Sequence, residues 1–151
     1  MTGKMDVTMA INGAIAGLVS ITADPLSPSG GMAILVGAIG GAIVYFSIVF
    51  LENAGVDDPV GAISAHGTVG IFGVLAVAFT GGASFMGQLI GVLMIAGFTY
   101  LASLGTILVI DKLIMPIRAS DAEQEAGLDI SEVGICLLYT SPSPRDPKTS
   151  R

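Results

Sequence analysis

His66 is the sole histidine of the sequence, and it lies within residues 59–110, a stretch with no Asp, Glu, Lys or Arg. An ionisable group in such surroundings is expensive inside a bilayer, and it usually faces a bundle interior, a water-filled path or a partner helix. Low dielectric favours the uncharged imidazole. In that form the ring offers one hydrogen-bond donor and one acceptor, which suits it to guiding a small polar molecule or relaying a proton. The plain structural reading, a histidine hydrogen-bonded to a neighbouring helix, stays open beside it. On a helix Ala62 and Gly70 lie one turn either side of His66, with Ile63 and Val69 bordering the same stripe. Ser64, two residues away, points elsewhere, which argues against a Ser-His catalytic pair. One histidine is too few for a haem or metal site, and Cys136 is the only cysteine. No enzyme and no cofactor is expected. The second polar cluster, Asp57 and Asp58, precedes Pro59, where carboxylates cap and stabilise a helix N-terminus. Asn12 is expected to bond to another helix, and Ser20, Thr22, Thr68 and Ser103 to bond back to their own.

These residues need helices that cross a membrane. Of the 151 residues, 52% are hydrophobic and only 12% charged, with a mean hydropathy of +0.83; soluble domains carry roughly 25% charged residues. Because about 20 apolar residues span the hydrocarbon core, residues 59–110 suffice for two crossings. Four spans are expected, at 7–23, 31–51, 59–79 and 86–110. They are separated by the turn DPLSPSG, the polar loop ENAGVDD and the break TGGAS. Small residues four apart at Gly13 and Gly17, at Ala33, Gly37 and Gly41, and at Gly87 and Gly91 allow close helix approach. Residues 1–6 form a lead, 7–114 the membrane part, and 115–135 an acidic tail with solvated charges. Residues 136–151, with three prolines and no periodicity, look like translated adaptor sequence. Four spans put both ends on one side, and Lys4, Lys112 and Arg118 make that side cytoplasmic. The net charge of -6 argues against a nucleic-acid partner.

The string DDPVGAISAHGTVGIFGVLAV, Asp57 to Val77, resembles a signature of the ammonium transporter family, which includes the Rh proteins. NGAIAGLVSITA, Asn12 to Ala23, resembles the family's preceding span, and EQEAGLDISE, Glu123 to Glu132, resembles the start of its cytoplasmic tail. The three segments occur in family order and cover most of residues 6–135.

The resemblance implies an all-α integral membrane protein of eleven transmembrane helices. It forms homotrimers in the cell membrane and conducts ammonium or ammonia through a pore in each subunit. The four spans here would be the eighth to the eleventh. His66 matches the second histidine of a pore-lining pair, Ala62 a neighbouring pore-face position, and Asp57 and Asp58 the acidic pair before that helix. The partner histidine, the aromatic gate and the external recognition residues would belong to earlier helices, so an incomplete fragment that does not transport alone is expected. Two other readings stand beside it. One is a membrane module whose tail, Ala119 to Ile130, recruits a soluble regulator of the PII type. The other is a different transporter with a proton-relay histidine.

Overall fold

The computed structural model describes residues 6–128, and among them the regular structure is helical throughout. The expected tail beyond residue 128, including the adaptor-like 136–151, lies outside the described residues. The chain divides into two compact units, Met1–Phe98 and Thr99–Arg151, with the boundary inside one long helix.

In the first unit, α1 (Val7–Val19) starts where the Asp6 carboxylate accepts hydrogen bonds from the backbone N–H groups of Thr8 and Met9 and from the Thr8 hydroxyl. Ser20 to Ala23 leave the helix as a turn, so α1 has 13 residues rather than the 17 expected. At 1.5 Å per residue that is about 20 Å, short of the roughly 30 Å hydrocarbon core. Asp24 then folds the connector by accepting from the N–H and hydroxyl of Ser27. The second helix, α2 (Gly30–Asn53), begins at a Ser29 cap and runs 24 residues. The third, α3 (Ile63–Thr80), has 18 residues and opens with a π-helical stretch, Ile63–Thr68. The fourth, α4 (Phe85–Ile114), has 30. By length and composition α2, α3 and α4 are each able to cross a membrane.

Glycine faces seat α1 on α2. A Cβ added at Gly17 would stand 3.5 Å from the Gly37 carbonyl oxygen, and one at Gly37 would stand 3.5 Å from that of Gly17. Gly41 approaches the Gly13 carbonyl in the same way. Ser20 closes the junction: buried, it donates to the carbonyls of Gly17 and Val36, while Gly40 and Gly73 pack directly against it. Around this crossing Ala16, Val44, Ile48, Ala65 and Val69 form the core, flanked by Met9, Ile15, Val19, Ile43 and Phe72. The other small pair, Gly87 and Gly91, packs on no other helix among the described residues.

In the first unit α1, α2 and α3 alternate in direction. Asp24, in the first connector, fills the space that a Cβ at Gly81, in the third, would take. At the opposite end the 54–61 loop meets Asp6 and Asn12 around one groove.

The second unit continues α4 from Thr99. The helix ends in a π-helical turn, Ile110–Ile114, followed by extended Met115. The Asp111 carboxylate accepts from the Ile117 N–H and folds the exit back. A short helix, α5 (Asp121–Ala126), follows, started by a reciprocal cap: Ser120 accepts from the Glu123 N–H, and Glu123 accepts from the Ser120 N–H and hydroxyl.

Candidate functional site

Residues 54–66 decide where the histidine points. The chain leaves α2 through Gly55, at φ 72°, and turns again at Gly61, at φ 71°, backbone angles that favour glycine. Gly61 has a second constraint, because the Asn12 amide of α1 occupies the position its Cβ would need, with Nδ2 only 2.6 Å away. Asn12 therefore packs against the loop and makes no hydrogen bond to a helix among the described residues, unlike the expectation.

Asp58 then reaches forward. Its Oδ1 accepts from the Ile63 N–H at 3.0 Å and its Oδ2 from the Ser64 N–H at 3.0 Å, so one carboxylate holds two of the free donors that begin α3. Partial burial alone would raise its pKa, but the hydrogen bonds from Ile63 and Ser64 outweigh it and hold the group below the ordinary carboxylate value. The Ser64 hydroxyl is buried near that carboxylate but meets no partner in hydrogen-bonding geometry, so Ser64 grips it through its backbone. Asp57 is exposed at the mouth of the groove. Because the cap spans five and six residues, α3 begins at Ile63, four residues later than the expected start at Pro59.

The first turn of α3 is π-helical, and the Val69 N–H reaches back to the Ser64 carbonyl in the i→i+5 pattern. The wider turn advances less per residue, so three residues fall well short of a full circle. Val69 consequently does not border His66 as α-helical spacing implies; it is fully buried in the core together with Ala65. Thr68 also departs from the expected back-bond, and its hydroxyl pairs with that of Ser47 on α2 at 2.9 Å. Ser20 and Thr22 do bond back, to Gly17 and Val19.

His66 and Ala62 share the exposed side of this segment, and Ile63 beside them is half exposed. Ser64 lies on the opposite, buried side, as the two-residue spacing requires. Within the first unit the histidine is thus exposed, on the side away from the buried Ser64 and Ala65. The groove at the loop end, of about 780 Å³, is separate from it and carries Asp6, Asn12, Glu52, Asp57 and Asp58 on its wall. Sequence reasoning missed the π turn and the Asn12–Gly61 contact. The D-x-x-G spacing from Asp58 to Gly61 was the available signal for the loop.

Long apolar helices, packed through glycine in the first unit, define an all-α multi-pass membrane protein. Residues 1–135 match the Ammonium Transporter Family, and the chain belongs to it. It is 33% identical over 144 residues to the ammonium transporter Amt2 of Methanocaldococcus jannaschii, an alignment covering 87% of this chain and 33% of that protein. With Amt2 of Archaeoglobus fulgidus the identity is 35% over 150 residues, covering 86% and 32%. With the ammonium transporter of Bacillus subtilis it is 31%, covering 83% and 35%. The chain spans about a third of the length of these relatives.

Proposed function

We propose that this chain supplies the last four membrane crossings, the eighth to the eleventh, of an ammonium transporter, and that His66 and Ala62 line its conducting path. The observation that carries the proposal is the placement of His66: the one histidine in an uncharged span is exposed, while its neighbours Ser64 and Ala65 are buried. In that arrangement α1 and the turn after it make the first of the four crossings, and residue 6, the 54–61 loop and the chain's tail are cytoplasmic.

Chemistry then determines what such a path passes. Transferring an isolated ammonium ion into low dielectric costs on the order of tens of kcal/mol, whereas neutral ammonia loses only a few kcal/mol of hydrogen bonding. A narrow apolar path with an uncharged imidazole replaces part of that bonding for ammonia while offering hydrated metal cations nothing. Ammonium therefore gives up its proton to water at the entrance, and ammonia passes His66. The complete transporter to which the chain contributes acts as a conductor, not an enzyme. In the cell membrane the complete protein is a homotrimer. The acidic tail, with its capped α5, favours a second role as part of the docking surface for a PII-type regulator at the cytoplasmic face.

The test is a chimera in which residues 1–135 replace the matching third of the Archaeoglobus fulgidus relative, expressed in cells lacking their own ammonium transporters. Methylammonium uptake that ammonium inhibits and potassium does not is the expected result. A chimera that reaches the membrane in normal amount without such uptake contradicts the proposal. For the second role, loss of PII-type regulator binding on deletion of residues 119–130 is expected; unchanged binding refutes it.

A further inference from the structure

The π-helical turn that carries His66 is an uncommon conformation, and such turns persist only where their surroundings impose them. Two constraints act on this one. On the core side Ala65 and Val69, 1% and 0% exposed, are seated among Ala16, Val44 and Ile48. On the loop side the two oxygens of Asp58 each take one backbone N–H, from Ile63 and Ser64, so that neither donor is left without a partner. The loop itself is fixed at Gly61, whose carbonyl accepts from the Ala65 N–H at 2.7 Å and whose open face is filled by Asn12. His66 lies one residue beyond the core-seated Ala65 and two beyond the held Ser64.

We infer that Asp58 is a positioning residue for His66: by gripping the N–H groups of Ile63 and Ser64 it maintains the π turn and so sets the direction in which the imidazole points. Without that grip the turn relaxes to ordinary i→i+4 bonding. The change is one residue of register, about 100° of rotation between the start of α3 and its core-packed remainder. The imidazole then leaves the line of Ala62 and the exposed face. Asparagine at this position keeps one acceptor oxygen and presents an NH2 donor to the other of the two N–H groups, from Ile63 or Ser64. Glutamate keeps both acceptor oxygens on a longer stem.

This inference rests on the pore reading for its effect on transport, but not for its effect on geometry, and the experiment separates the two. Asp58→Asn and Asp58→Glu are made in the chimera with and without His66→Ala. Methylammonium uptake is measured at matched membrane protein, and a structure of the Asp58→Asn chimera is determined. The expected result is an uptake about tenfold lower for Asp58→Asn, most of it retained by Asp58→Glu, and no further loss from Asp58→Asn once His66 is alanine, because residues acting through one group are not additive. In the structure the π turn is replaced and the residue-66 side chain has rotated. An equal fractional loss in both His66 backgrounds, an unmoved His66, or failure of both Asp58 variants to fold overturns the inference. If His66→Ala alone leaves uptake unchanged, the pore reading fails, and the position of His66 in the Asp58→Asn structure still decides whether Asp58 positions it.

Discussion

At the scale of single residues, the two adjacent carboxylates part company. The sequence reading treats Asp57 and Asp58 as one capping pair, because spacing alone does not tell which of two neighbours turns toward a helix. Gly61 decides it: its left-handed backbone bends the chain so that Asp58 reaches Ile63 and Ser64 while Asp57 stays exposed. A carboxylate whose folded pKa lies below its unfolded value, about 3.9, adds stability that is complete above that value and is lost as pH falls through the folded one. Amide hydrogen exchange at Ile63 and Ser64 is therefore expected to be slow and flat from neutral pH down to about 4, after correction for intrinsic exchange, and to lose protection below it. Asp58→Asn removes the pH dependence. Protection that falls steadily from neutral pH would contradict the assignment. His66 was legible from its isolation in an uncharged stretch. Its direction was not, because the π turn depends on tertiary contacts that no local pattern encodes.

Elements were legible where hydrophobic length sets them, and less so at their ends. All four expected spans contain helix, yet α1 stops at Val19, because Ser20 turns to bond Gly17 and Val36, and α3 waits for the Asp58 cap. The glycine spacing in α1 and α2 correctly indicated a close crossing, while Gly40 on α2 and Gly73 on α3, outside those pairs, make tighter contacts with the end of α1 and Ser20. A Cβ at Gly73 would lie 2.8 Å from the Ser20 carbonyl oxygen, and one at Gly40 would lie 2.8 Å from the Ser20 Cβ and 3.0 Å from the Ala16 carbonyl oxygen. Backbone atoms yield little, so Gly73→Ala is expected to cost about 1–3 kcal/mol by overpacking. Thermal unfolding of the detergent-solubilised chimera measures it. Gly41→Ala is the control, since its nearest atom stands at 3.6 Å and the cost there should be near zero. Equal losses for the two would contradict the crossing described.

For the whole molecule, the exposed apolar surface is the informative feature. α4 buries none of its residues, and its Leu93, Met94, Ile95, Phe98 and Leu101 are all exposed. Such a surface is stable only against lipid or further helices. Residues 1–135 expressed without the remaining two thirds of the relative are accordingly expected to give no ammonium-sensitive uptake, and co-expression of that remainder is expected to restore it. The family match ends at residue 135, so a chimera carrying 1–151 should transport like one carrying 1–135. Composition made the membrane setting plain. What covers α4 was not legible, because lipid-facing and helix-facing apolar residues have the same chemistry. The central claim, that His66 lines the conducting path, is tested most directly by methylammonium uptake and potassium competition in chimeras carrying His66→Ala or His66→Glu. The account predicts about tenfold slower uptake for His66→Ala, the loss of roughly one hydrogen bond in the path, and weaker discrimination against potassium for His66→Glu. Unchanged rate and selectivity in both would contradict it.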